Sequence, residues 1–538
     1  MKKKLLPALI VTGLIILVVI IMGITALINK YTPTKKTEDL KEYFNISSDD
    51  EAALIVDNEL SDYKAKIIDK KIYVDYKFVH DSLNSRFYWD ANENVLLYTT
   101  ASDIISAAAD SNSYSVTKQT NDFGYPIVKA TSDSALIALD YVKQYSNITF
   151  KSYDDPARIV ITSKWDEIDS ATVSKSTQVR VKGGIKSPIL KEVKKDDKIT
   201  ILDSGDKWDK VATEDGVIGY IKRKALSESK KTKLTNPDYE EETFTHIKKD
   251  KDICLAWNQV TSQSANSKVP QVISSTKGIN VMSPTWFYLN DNNGNLADIA
   301  SKDYVSYCHS QGIEVWGLFS NLENTDVDAA YVLTHTSTRT TLINQIMSAA
   351  FNYELDGVNI DFENITEAAY GDSYIEFIRE LAIKCHNNGI SLSVDVTVPA
   401  SFNKFFNRSD MAKFADYIVI MGYDEHYKGS DAGSVSSIPW VTEGVESTLK
   451  EVPADQIILG MPFYTRIWEL TPKEDDDAVT DTEDQSKYTV ASQVYSMDAA
   501  AAQLATNNAT AALDEESGQN YAEWSASNKL YKVWLEDN

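Results

Sequence analysis

The order of apolar and polar residues divides the chain into stretches with different rhythms. Residues 5–28, from Leu5 to Ile28, carry no charge, and as a helix they would cross a hydrocarbon layer of about 30 Å. A cleaved signal peptide has a shorter apolar core, about 7–15 residues, and a small-residue cleavage site. No such site is evident, so an uncleaved anchor is expected, with Lys2, Lys3 and Lys4 holding the amino terminus in the cytoplasm and the rest of the chain outside. From about 65 to 165, strand-like runs alternate with helical ones and the order recurs. Lys71–Tyr76 precedes a helical stretch and a hairpin over Arg86–Tyr98 that turns at Asp90 to Asn94; Tyr125–Val128, Ala135–Tyr145 and Ile148–Ile161 follow the same course. Residues 172–226 read as about five short strands with Gly and Asp turns, and Lys230–Glu242 as a charged linker without apolar periodicity.

Beyond about 245, short apolar runs alternate with amphipathic helices, which predicts a parallel sheet and, at this length, an α/β fold of the TIM (β/α)8 type. The candidate strands are Ile253–Gln259, Ile279–Leu289, Ile313–Ser320, Gly357–Glu363, Ile390–Val398, Tyr417–Tyr423 and Ile457–Tyr464. An acidic run from Lys473 to Asp484 reads as a solvated loop, followed by an alanine-rich helix near 498–512. The expected organisation is a cytoplasmic tip and transmembrane anchor over 1–30, a linker over 31–64, a small α+β domain over 65–168 and a small all-β domain over 170–228. A second linker covers 229–244, and the barrel covers 245–538 with an insertion subdomain at about 470–530.

Composition narrows the function. At 538 residues several domains are expected, and 54 basic against 79 acidic residues give a net charge of −25, a field that repels nucleic-acid phosphates. Cys254, Cys308 and Cys385 are too few for a disulfide framework. The six histidines, among them His309, His386 and His426, show no metal-ligand spacing. No metal or cofactor is therefore expected.

Candidate chemistry sits in the fourth strand. Side chains alternate there, so Val358, Ile360 and Phe362 face one way and Gly357, Asn359, Asp361 and Glu363 the other. Acids pointing into a barrel lumen are costly unless hydrogen-bonded or used. Two of them along one strand cannot easily both be charged, which is how a carboxylic acid stays protonated near neutrality and donates a proton. Active sites of such barrels lie at the carboxyl ends of the strands, where this pair falls.

Asp356-Gly357-Val358-Asn359-Ile360-Asp361-Phe362-Glu363 resembles the signature of glycoside hydrolase family 18, with Met421-Gly422-Tyr423-Asp424 and Met461-Pro462-Phe463-Tyr464-Thr465-Arg466 following in the family's order. The resemblance extends over about 245–538. It implies a retaining hydrolase without an enzyme nucleophile, in which the substrate's own 2-acetamido group attacks the anomeric carbon. On that basis Glu363 is the acid/base, Asp361 holds the acetamido N–H, and Tyr423 aligns its oxygen. Asp356 and Asn359 are supporting residues; Asp424, Arg466, Tyr464 and Met421 are expected at the substrate, and Trp257, Trp286 and Trp316 are candidates to stack on sugar rings. Asn359 stands where most chitinases of the family carry Asp, as in the subset that degrades spore cortex or other peptidoglycan. Tyr531–Asn538 resembles the segment before the family's last helix and eighth strand, so either the sequence is truncated or the barrel lacks that strand. Residues 65–168 resemble the amino-terminal repeat of copper amine oxidases, read here as a stalk without copper, and 170–228 resembles a bacterial SH3-like module. The chain is thus expected to be a single-pass protein of the cell membrane, on the pattern of a Gram-positive bacterium. Its catalytic domain would act outside on a glycan polymer, peptidoglycan or chitin-like. The alternative readings are a chitinase and a non-hydrolytic glycan-binding protein.

Overall fold

The computed structural model describes residues 2–363, 365, 368–473 and 484–537. The chain forms two compact units: Met1–Phe87, Ala107–Tyr114 and Asp122–Glu241 make one, and Tyr88–Ser106, Ser115–Asn121 and Glu242–Asn538 the other. The solvated-loop expectation for the acidic run falls mostly on 474–483, outside the described residues.

The first unit begins with a helix over Lys2–Tyr31. Its segment Leu9–Tyr31 is long and apolar enough to cross a membrane and is unburied, as fits a signal sequence or an anchor. A seven-stranded sheet follows, in the order Thr149–Tyr153, Arg158–Thr162, Glu51–Val56, Glu59–Ile68, Lys71–Asp75, Ala135–Ala138, Val128–Ala130. The stretch expected as a linker over 31–64 thus supplies a central strand. Ala52–Ile55 is fully buried there, and a strand buried on both faces loses the alternation by which strands are recognised. A second seven-stranded sheet spans Glu167–Lys233, and its edge strand Lys230–Lys233 comes from the expected second linker. Ala53 and Ile55 of the first sheet share a core with Val179, Val211 and Ile221 of the second. Gly216 (φ 81°) marks the close approach, because a Cβ there would lie 2.8 Å from Val160 Cγ2 and 3.1 Å from Ile55 Cγ1.

The second unit is built on a curled sheet of seven parallel strands in sequential order: β1 (Leu255–Asn258), β2 (Val281–Leu289), β3 (Glu314–Ser320), β4 (Gly357–Asp361), β5 (Ser391–Thr397), β6 (Tyr417–Met421) and β7 (Ile457–Gly460). The parity read from the sequence holds. Val358, Ile360 and Phe362 lie in a core shared with helices α1 (Thr336–Tyr353) and α2 (Ala368–His386), through Leu342, Ile346, Phe377 and Leu381. On the concave side Val281, Trp316 and Tyr417 fill the end nearest the strands' amino termini. Among the described residues no strand pairing joins β7 to β1. The Trp257 indole of β1 instead packs beside Gly460, where a Cβ would lie 2.7 Å from its ring. Tyr464, expected at the end of the seventh strand, instead opens a nine-residue strand, Tyr464–Pro472, in a separate five-stranded antiparallel sheet.

This unit also takes in a hairpin from the region expected as stalk. Asp90, buried to 1% exposure, accepts from Thr336 N (2.7 Å) and Thr336 Oγ1 (2.6 Å) at the start of α1, and Glu93 accepts from Ser337 N (3.0 Å). No side chain at His335 caps α1, so the two carboxylates serve its exposed N–H groups and its dipole. Behind them Arg339 lies 5.0 Å from the Tyr88 ring and pairs with Glu380 at 2.8 Å. Thr99 Oγ1 donates to Glu376 Oε1 (2.7 Å), which also meets Arg379. A start at residue 245 therefore leaves out part of the compact unit.

Candidate active site

The carboxyl end of β4 gathers the expected residues from the inside outward. Gly357 is the first lumen position, and a Cβ there would lie 2.6 Å from the Trp316 ring. Asn359 is completely buried and its amide makes three hydrogen bonds: Oδ1 accepts from Trp257 Nε1 (3.0 Å) and Ser283 Oγ (2.9 Å), and Nδ2 donates to Asp395 Oδ1 (2.7 Å). Asp395, on β5 and 2% exposed, has its carboxyl pushed well above the usual range by burial first and then by the Asp361 charge. The amide thus supplies one donor and one acceptor group where a further acid would add repulsion.

Asp361 comes next. Burial, then the charges of Glu363 and Glu323, push its carboxyl up to about 7, and its buried Oδ1 has no partner. Glu363 follows on the loop, with its backbone N–H donating to Asn321 Oδ1 (3.1 Å). Its side chain is open to solvent, yet its carboxyl is shifted upward by desolvation from the surrounding wall, then by Asp424 and Glu323. Buried polar groups normally find partners, so the free Asp361 oxygen is an acceptor position open to an incoming N–H donor.

Tyr423, just beyond β6, stands edge-on to Trp257 and to Tyr464, each at 6.2 Å between centroids. Burial and the negative charges of Asp395, Asp361 and Glu363 keep its phenol protonated, hence a donor. Asp424, at φ 61°, accepts from Tyr464 Oη (2.8 Å) and from Arg466 Nη2 (3.4 Å), so these three form one wall. Met421 is buried at 7% and shares the concave face with Tyr417 and Val419.

Three expected residues lie elsewhere. Asp356 sits at the opposite end of β4, where it accepts from His309 Nε2 (2.8 Å) and Val315 N (2.8 Å), a strand-start anchor away from the other acids. Trp286 is fully buried behind the sheet, donates to Asn266 Oδ1 (2.8 Å) and packs on Tyr304 at 4.8 Å, leaving no face for a sugar. Trp316 is likewise buried, with Nε1 on Glu314 Oε2 (2.9 Å). Of the three tryptophans, Trp257 alone is at the site.

Four residues were missed: Ser283, Asn321, Glu323 and Asp395. Asp395 had a signal, since in Ser391-Leu-Ser-Val-Asp-Val-Thr397 the polar residues alternate as they do in β4. The other three had none. Among the described residues no group of three His, Cys, Asp or Glu side chains is placed to hold a metal ion.

A parallel, curled β/α sheet with acids and aromatic residues at the carboxyl ends of its strands defines a class of domains that act on small or polymeric ligands at that face. Residues 319–536 match the family model described as Glycosyl hydrolases family 18. The uncharacterized glycosylase YvbX of Bacillus subtilis (strain 168) is 25% identical over 194 residues, covering 34% of this chain and 55% of that protein. The cortical fragment-lytic enzyme of the same organism is 24% identical over 255 residues, covering 46% of this chain and 56% of that protein. The chain spans little more than half the length of these two relatives. The crystal structure of the Bacillus megaterium QM B1551 spore cortex-lytic enzyme SleL superposes with a TM-score of 0.44 at 19% identity, over 53% of this chain and 64% of that one.

Proposed function

We propose that the protein hydrolyses β-1,4 glycosidic bonds in an N-acetylglucosamine-containing glycan, with peptidoglycan as the substrate and retention at the anomeric carbon. The observation that carries this reading is the unpartnered, buried Asp361 Oδ1 in a site that also holds Glu363, whose carboxyl burial shifts upward, and the protonated phenol of Tyr423. Glu363 gives its proton to the glycosidic oxygen as the bond to the anomeric carbon breaks. The substrate's acetamido carbonyl oxygen attacks that carbon and forms an oxazolinium ion, the substrate-assisted exception to the two-carboxylate scheme. Asp361 accepts the acetamido N–H and balances the positive charge, while Tyr423 donates to the acetamido oxygen and aligns it. Glu363, now ionised, takes a proton from water; the water oxygen bonds to the anomeric carbon and the acetamide is restored. Trp257 offers its ring to the sugar, and Asp424, Tyr464 and Arg466 meet its hydroxyls.

Peptidoglycan is favoured over chitin by Asn359, the residue of the subset that degrades spore cortex, and by the similarity to the cortical fragment-lytic enzyme of Bacillus subtilis. The apolar amino-terminal helix is read as an anchor that leaves the catalytic unit on the outer surface of the cell membrane. A purely glycan-binding role is disfavoured by the retention of Glu363. The test is digestion of acetylated peptidoglycan by the full chain, with mass spectrometry of the new reducing ends. N-acetylglucosamine ends from the native chain and none from Glu363→Gln are expected. Equal release by both would overturn the assignment, and muramic acid ends would change the bond.

A further inference from the structure

Within the first unit, the chain leaving the apolar helix is stitched at once to the second sheet. Thr34 N donates to Ile185 O, Glu38 N to Ile189 O and Ile189 N to Lys36 O, each at 2.8 Å, and Lys186 Nζ donates to Thr32 O (2.7 Å) and to Asn29 O. The turn over 182–188 is therefore fixed at the helix's exit. Adjoining it is a cavity of about 490 Å³ lined by Ile185, the half-buried Trp208 and Lys207, Lys222, Arg223 and Lys224, with Lys222 Nζ 5.7 Å from the Trp208 ring centroid. With Lys182 and Lys186 of the turn, six cations share this face with three acids, Glu38, Asp206 and Asp209, and Asp209 is already paired with Arg223 at 3.4 Å. This concentration of positive charge lies in a chain of net charge −25.

We propose that this face is a docking surface for the anionic lipid headgroups of the membrane that the helix crosses, with the lysines on phosphates and Trp208 and Ile185 at headgroup depth. The proposal rests on reading the helix as an anchor. Three observations support it. The backbone stitches hold the face within a few residues of the helix end, so a crossing helix delivers it to the interface. Its charge is opposite to that of an anionic leaflet, which would repel most of the remaining surface. Its mixture of tryptophan with flexible cations is the composition that settles at the boundary of water and hydrocarbon.

The experiment is amide hydrogen exchange on the full chain reconstituted in phosphatidylcholine vesicles, with and without phosphatidylglycerol in place of about a third of the lipid. Exchange over 182–188 and 206–224 should slow several-fold in the anionic vesicles. The difference should vanish at about 0.5 M salt and in the Lys207→Glu, Lys222→Glu, Lys224→Glu triple variant; the salt arm tests the idea even if that variant does not fold. Resistance to an alkaline carbonate wash reads the anchor separately. Extraction of the chain by the wash would sink the anchor and this proposal together, whereas retention with equal exchange in both vesicles would overturn this proposal alone. Stronger protection by soluble polyphosphate than by the anionic bilayer would also overturn it, assigning the cavity to a wall polyanion.

Discussion

At the level of single residues, the site separates a proton donor from a proton-sharing floor. Replacing Glu363 by Gln should lower turnover on peptidoglycan by about 10²–10⁴, the usual worth of a positioned acid/base. A substrate with a leaving group that needs no protonation should lose much less in the first step. Because Asp424 and Glu323 help hold the Glu363 proton, Asp424→Asn should move the alkaline limb of the rate profile toward lower pH, read from kcat/KM. Asp361 makes a prediction about stability. Its carboxyl is raised from 3.8 to about 7, so the folded state binds the proton more tightly than the unfolded one. That contribution is fully present below about pH 4 and is lost as pH rises through about 7. Asp361→Asn should therefore raise Tm relative to the native chain more at pH 8 than at pH 4, and an equal shift at both would contradict the assigned burial. Alternation within one strand made Asn359, Asp361 and Glu363 legible in the sequence. Trp286 misled because a strand tryptophan reads the same whichever face it takes.

At the scale of elements, what was legible was local. The seven parallel strands announce themselves as short apolar runs between amphipathic helices, and each was found to within a few residues. The strand Glu51–Val56 was missed because burial on both faces erases its period. The cap of α1 was invisible because Asp90 lies 246 positions before the residue that it serves. That cap can be tested. Asp90→Ala should cost about 1–2 kcal/mol, as lost helix caps do, and Arg339→Ala about 3–5 kcal/mol by leaving the Glu380 carboxylate buried without its partner. Urea denaturation of the full chain, followed by a probe in the second unit, would read both. A surface-like value for Arg339→Ala would show that the pair is not desolvated.

For the whole molecule, charge is the dominant long-range term. A net charge of −25 repels itself at low ionic strength. Raising salt from about 0.01 M to 0.15 M shortens the screening length from about 30 Å to 8 Å, and thermal denaturation should move upward. A fall in Tm would mean that the ion pairs, Arg158 with Asp215 among them, outweigh the repulsion. The composition made this legible, while the division into units was not, because sequence order and compactness disagree in this chain. The hairpin bearing Asp90 and Glu93 is made long before α1. During synthesis its carboxylates stay without their helix until residues 336 and 337 emerge, so the second unit cannot condense domain by domain in the order of translation. Its closure spans a long loop, and contacts of that range slow folding. An amino-terminal fragment released early from the ribosome would carry a solvated cap, waiting for a helix that has not yet been made.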